Sequence, residues 1–238
     1  MTWRLHFCRA AMSRLSGRRI LLQQAIRREI LVPSTINPLA PTSAASIDLI
    51  YQRHAVRAYT AERVDDTRIR ALLDAAVHAP TAMHQEAWRF VVVQNRALLK
   101  SLSDRAKQMA GADAKAHGNL LRPPAAPGDG IASPLADPAF NIFYDASTLI
   151  LICGNPVNDF VAADCWLAAE NLMLAAAAHG LGSCCIGFAI AALNTAAGKQ
   201  DAGIPADLTV FAPIIVGVPH GAVNRVPRKP PVLVSWIR

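Results

Sequence analysis

Tyr51-Gln52-Arg53-His54-Ala55-Val56-Arg57-Ala58-Tyr59 is a dense basic knot that comes after a short apolar segment, and the rest of the chain is read outward from it. In a helix, Arg53 and Arg57 share one face, because residues four apart sit one above the other. Two guanidiniums so placed repel unless an anion lies between them. A guanidinium suits phosphate, since its planar fork donates two parallel charge-assisted hydrogen bonds. The plainer reading of R-x-x-x-R is a solvated basic face, so the choice depends on what else the chain supplies.

A chain of 238 residues is long enough for one domain with an appendage. At 53% hydrophobic and 17% charged residues, it has the composition of a packed globule and not of a disordered chain. The net charge of +7 invites a nucleic-acid partner, but its distribution does not. Residues 1–46 carry seven arginines against Glu29 alone, so six of the seven net charges fall there. The remainder is nearly neutral and lacks the broad basic footprint of a nucleic-acid binder. No uninterrupted apolar run reaches the ~18–20 residues of a membrane span. The longest, Phe160 to Leu181, is interrupted by Asp164, Glu170, Asn171 and His179 and predicts a buried helix. Five cysteines without C-x-x-C or metal-ligand spacing point to reduced thiols and a cytoplasmic location.

Residues 1–46 differ from the remainder of the chain, being Arg-rich and acid-poor, and they end in the Pro33–Ser43 stretch of linker composition. A transit peptide shares that profile. Arg18-Arg19 opens like a twin-arginine signal, yet Gln23 and Gln24 stop its apolar run. The expectation is a mobile extension, or a start placed too early, ahead of a domain spanning 47–238.

Within that domain, Ser46 is placed to cap a first helix. Asp65 caps a second over 66–78, with Ile69, Leu72, Leu73, Ala76 and Val77 as its apolar stripe. Trp88–Val93 reads as a buried strand and Arg96–Met109 as a helix. The Gly/Pro/Ala-rich 111–138 segment reads as a functional cover or insert. Ser147–Cys153 is a second buried strand, Phe160–His179 a long helix, Leu193–Lys199 a short one, and Leu208–Val216 a third strand broken by Pro213. Such alternation predicts an α/β or α+β sandwich, a central mixed sheet flanked by helices.

Four motifs in order resemble the signatures of the nitroreductase family: Arg53-His54-Ala55-Val56-Arg57, Ala79-Pro80-Thr81-Ala82-Met83-His84-Gln85-Glu86-Ala87-Trp88-Arg89-Phe90, Gly180-Leu181-Gly182-Ser183-Cys184-Cys185-Ile186-Gly187, and Arg228-Lys229-Pro230. The likeness runs from about residue 47 to the C-terminus. It implies an FMN-dependent oxidoreductase built as an intertwined homodimer, with the cofactor in a cleft at the subunit interface.

By that resemblance, Arg53, His54, Ala55 and Arg57 face phosphate and ribityl oxygens, and Arg228 and Lys229 close on the phosphate from another side. Thr81, Ala82, Met83 and His84 contact the ring, while Cys185, Ile186 and Gly187 lay backbone amides along it. Phe140, Phe143, Tyr144 and Phe188 are candidates to line the acceptor pocket, or else core. Four positions depart from the family pattern. His84 stands where Asn is usual, Glu86-Ala87 replaces Gln-Pro, and Ala55 replaces a Ser that donates to the cofactor. Glu86 needs a counterion near a phosphate, and Arg89 is the neighbour available.

The implied chemistry is a two-step exchange. NADH or NADPH gives hydride to flavin N5 and leaves, and an aromatic acceptor, a nitroaromatic or quinone, is then reduced. The cofactor carries the chemistry, so no side chain need act as acid or base. A non-catalytic flavin sink or sensor, and a flavin-fragmenting or dehalogenating enzyme of the same fold, are the alternatives. No metal, nucleic acid or membrane is implied.

Overall fold

A computed structural model of the chain describes residues 45–117, 135, 137–221 and 227–238. The expected extension lies almost wholly outside these residues, as does most of the 111–138 segment.

Helix α1 spans Ala45–Gln52, so it starts one residue before the expected Ser46 cap. It also stops before Arg53. The two arginines therefore share no helical face; the chain is already extended, with Ala55 bridged to Ser183. Helix α2 (Asp66–Val77) has the expected cap, with Asp65 accepting from the Arg68 amide at 2.8 Å. Ile69, Leu72 and Ala76 are buried, whereas Val77 is exposed at the stripe's edge.

Strand β1 is Trp88–Val93 and β2 is Thr148–Gly154. Strand β3 is Gly182–Cys185 and β4 is Thr209–Gly217. They form one sheet in the order β1-β2-β4-β3, and each neighbouring pair is antiparallel. The expected mixed sheet is thus corrected to an antiparallel one, with the Ala55–Ser183 bridge as the sole parallel element among the described residues. In β1 only Trp88 and Val93 are buried, because an edge strand keeps one side open. All seven residues of β2 are buried, as befits a central strand covered on both faces. Pro213 does not break β4. Its carbonyl accepts from the Ile186 amide just past the end of the β3 pairing, so its missing N–H faces a side where the ladder has run out.

Helices cover both faces. On one, α3 (Arg96–His117), α5 (Ile190–Leu193) and α6 (Ala196–Ala202) pack over Leu149, Leu151, Cys153, Val210 and Ile215. Helix α3 runs a further two turns beyond the expected Met109, and the expected 193–199 helix is two short ones. On the other face, α2 and α4 (Phe160–Ala178) cover Ile150, Ile152, Ala212, Ile214 and Val216.

Helix α4 is long and apolar enough to cross a membrane by composition. It lies instead against the sheet through Val161, Cys165, Ala168, Leu172 and Ala176. Its outer face is open, with Phe160, Trp166 and Leu167 exposed. The expectation of a buried helix holds for only one of its faces.

Candidate functional site

The 53–60 segment runs beside the sheet's β3 edge and is fixed by backbone pairing. Val56 donates to Ser183 O at 3.0 Å, Thr60 to Val218 O at 2.9 Å, and Ala58 O accepts from His220 at 2.9 Å. Close approach is possible because Gly182 opposes Val56; a Cβ there would meet the Val56 side chain at 2.8 Å. Tyr59 closes the far end. Its hydroxyl donates to Val56 O at 2.7 Å and its ring lies against Gly217, where a Cβ would meet it at 2.7 Å. Burial pushes the Tyr59 hydroxyl pKa well above its ordinary value. Two motifs more than a hundred residues apart in sequence are thereby laid side by side.

Both guanidiniums of this segment act on one thiol. Burial pushes the Cys184 thiol up, and the positive charges of Arg57 and Arg53 each partly offset that. Arg57 is exposed, with its guanidinium carbon 5.9 Å from the Tyr144 ring centroid. Arg53 is mostly covered, and its Nε lies 3.1 Å from Glu170 Oε1 on α4. The Nε–H does not align with that carboxylate and is buried without an acceptor among the described residues. His54 Nδ1 is 2.7 Å from Gln52 O, which makes it the protonated nitrogen. Its Nε2 is buried with no partner among the described residues.

The Thr81–His84 segment packs against the first turns of α4. Ala82–His84 is a single 3-10 turn, held by Asp164, a buried carboxylate that accepts from the Ala82 amide at 3.2 and 3.3 Å. The Thr81 side chain makes no capping hydrogen bond, and Met83 projects into solvent. Met83, His84 and Glu86 have φ of 52°, 53° and 45°. Three left-handed non-glycine residues within four positions store backbone strain, each costing about 1–3 kcal/mol, and such strain concentrates at functional sites. Arg89 does not neutralise Glu86 as expected. Its guanidinium donates to the carbonyl oxygens of Glu86 and Trp88 at 3.2 and 2.7 Å.

Cys185, Ile186 and Gly187 continue from β3 into a second 3-10 turn, Gly187–Ala189, and a Cβ on Gly187 would meet nothing within 4 Å. Cys185 is a free thiol whose pKa burial pushes up to about 11, so it is a packed thiol and not a nucleophile. Phe188, Phe140 and Tyr144 are half-buried beside this turn's side of the core. The Phe140 and Tyr144 rings meet edge-to-face, with centroids 5.6 Å apart. Phe143 is corrected to core, since it is fully buried.

Lys107, missed from sequence, fastens this aromatic turn to α3. It donates to the carbonyls of Asp137, Pro138 and Phe140 at 3.3, 3.1 and 2.7 Å and pairs with Asp104 at 3.2 Å. Arg228 and Lys229 lie in an exposed segment, with no ion pair or hydrogen bond among the described residues.

The family model for the nitroreductase family matches residues 50–218. The chain belongs to the nitroreductase family. Among its relatives is a protein of Archaeoglobus fulgidus named "Putative NADH dehydrogenase/NAD(P)H nitroreductase", 28% identical over 178 residues, which are 73% of this chain and 84% of that one. A nitroreductase with bound FMN from Bacteroides fragilis superposes with a TM-score of 0.66 at 25% identity, covering 81% of this chain and 98% of that one. An FMN-dependent nitroreductase from Clostridium difficile superposes at 0.62 with 23% identity, over 81% and 98% of the two chains. That last likeness carries the fold alone. The first and third motifs of this chain are structural neighbours, and the second is held by Asp164 of α4.

Proposed function

We propose that this chain is an FMN-dependent oxidoreductase, passing hydride from NADH or NADPH to an aromatic acceptor such as a nitroaromatic or quinone. The observation that carries this reading is the pairing of the 53–57 segment with β3. It sets two guanidiniums beside a run of backbone amides that ends in glycine. The residues fit the cofactor on independent grounds. A covered guanidinium with an unspent N–H suits a phosphate, and a buried imidazole acceptor without a donor suits a hydroxyl. When bound, FMN supplies the redox chemistry by accepting and releasing hydride at its N5.

The chain's own groups bind and orient. Arg53 and Arg57 hold the anionic tail, joined by Arg228 and Lys229 from the C-terminal segment. His54 and Ala55 lie along the ribityl chain. Thr81 to His84, strained and anchored by Asp164, present a hydroxyl and an imidazole to one edge of the ring. Cys185, Ile186 and Gly187 face the other edge with main-chain N–H groups. Phe140, Tyr144 and Phe188 bound the acceptor side.

A homodimer completes the reading. Helix α4 leaves Phe160, Trp166 and Leu167 open, α1 leaves Ile47, Ile50 and Tyr51 open, and the C-terminal segment exposes Val232, Val234 and Ile237 almost fully. Apolar area of that extent is unusual on a monomer and suits a self-association surface.

Purified protein should be yellow, bleach anaerobically with NADH or NADPH, and recover colour when a quinone or nitroaromatic is added. The R53A/R228A double variant should lose most of its FMN affinity. A colourless protein whose melting temperature ignores added FMN would refute the reading. Bleaching without recovery would instead mark a flavin sink. Sedimentation of the native protein should give twice the monomer mass.

A further inference from the structure

We propose that Glu170 is a positioning residue for the cofactor's phosphate, holding the Arg53 guanidinium in place by charge while leaving the Arg53 N–H donors to the ligand. The inference rests on the FMN reading above and deepens it. Helix α4 is apolar almost throughout; between Phe160 and Ala178 it has two ionisable side chains besides its cysteine, Asp164 and Glu170. Each reaches a different segment assigned to the cofactor. Asp164 holds the Ala82 amide at 3.2 Å, and Glu170 stands 3.1 Å from Arg53 Nε. Asn171, next along the helix, donates to Ala75 O and so steadies the end of α2 that leads into the Thr81–His84 turn. The polar side chains of this helix are thus spent on fixing the walls of the site.

The Arg53–Glu170 contact has an uncommon form. It brings the charges together in a partly covered setting, Arg53 being 19% exposed. Yet the Nε–H does not point at the carboxylate and remains buried without an acceptor among the described residues. The pair is a tether that consumes no donor. An unrestrained arginine is rich in rotamers, and ordering it on binding weakens affinity. A guanidinium already restrained near the ligand avoids that loss. Glu170 has no other ion-pair partner among the described residues, so its effect passes through Arg53.

A carboxylate beside a dianionic phosphate also repels it, and the two effects have opposite signs. If Glu170 merely adds negative charge, E170A tightens FMN. If it positions Arg53, E170A weakens FMN, by up to about tenfold for one side chain released from restraint. The test measures the FMN dissociation constant by fluorescence quenching for wild type, E170A, E170Q, R53A and R53A/E170A, with apo-protein melting temperatures alongside.

The expected results are binding by wild type, about tenfold weaker binding by E170A, and a similar weakening by E170Q, which keeps the side chain's shape but removes the charge that holds Arg53. R53A and R53A/E170A should bind alike, since Glu170 has nothing left to position. Unchanged or tighter binding by E170A overturns the proposal while leaving the flavin reading intact. So does an E170A effect that persists without Arg53. A wild type that does not bind FMN overturns both.

Discussion

Replacing Gly182 with Ala tests the contact that brings the first and third motifs together. A Cβ at this position would sit 2.8 Å from Val56 Cβ and from both of its Cγ atoms. Real carbon pairs do not approach so closely, so either Val56 retreats or the 53–57 segment lifts off β3. Val56 is itself buried and bonded to Ser183 O, which leaves it little room. Overpacking of this kind costs about 1–3 kcal/mol. Removing a glycine also stiffens the unfolded chain, a gain of about 0.4–1 kcal/mol where no clash arises. The clash wins, for a net loss of about 2 kcal/mol at the upper part of that range. For a body of this size the melting temperature of the apo-protein should fall by about 4–8 °C. FMN affinity should fall with it, since Arg53 and Arg57 ride on the displaced segment. V56A removes two of the three contacting atoms. In a cycle of V56A, G182A and the double variant, urea denaturation should show the double variant less destabilised than the sum by about 1 kcal/mol. Additive costs, or a G182A protein as stable as wild type, would mean that Val56 and Gly182 are not packed face to face.

Three further outcomes are expected. The Asp65 carboxyl is held below its ordinary value of 3.8, first by the Arg68 backbone amide and then by the Arg68 side chain. A depressed carboxylate stabilises the fold above its unfolded pKa and loses that contribution as pH falls through the folded one. The stability advantage of wild type over D65N should thus be full near neutrality and fade below about pH 4 in acid denaturation; a constant gap would refute the cap. Replacing Lys107 with Met strips three carbonyls of their donor. It should cost about 2 kcal/mol and speed hydrogen exchange across 137–146, with the acceptor's KM rising more than FMN's Kd. Burial pushes the thiols of Cys153 and Cys165 up to about 11 and about 12, and those of Cys184 and Cys185 are also raised. None of these four should react quickly with a disulfide reagent in native protein at about pH 8, below the range where such thiols ionise, and mass mapping of rapid labelling on any of them would contradict the burial.

Much of the frame is legible in the sequence where local signals and packing agree. Asp65 followed by an apolar stripe gives α2, and the unbroken Leu149–Cys153 run gives a central strand. The failures have physical causes. Nothing between Gln52 and Arg57 forbids helix; there is no Gly or Pro. Pairing with Ser183 outweighs local preference there, and that partner lies far along the chain. Gly182-Ser183-Cys184-Cys185 lacks β-branched residues, so its strand exists because β4 and the 55–56 segment supply partners on both sides. Pro213 reads as a breaker until the end of β3 shows where its missing donor points. In the site, the structure lays the 53–57 and 182–185 motifs side by side and packs the 81–84 turn against Asp164 of α4. The motifs say nothing of Asp164, Glu170 or Lys107, which act across long separations. The readable hint is composition: two acids on an otherwise apolar helix need a reason to be there.

The central strand β4 is also the last to be made. Until Thr209–Gly217 leaves the ribosome, β2 has one open edge and β3 has no ladder to join. Segment 53–59, synthesised earlier, must then wait for a partner edge that forms only after β4. Nucleotide capture therefore cannot guide the early stages of folding, and loading waits until β4 has been made.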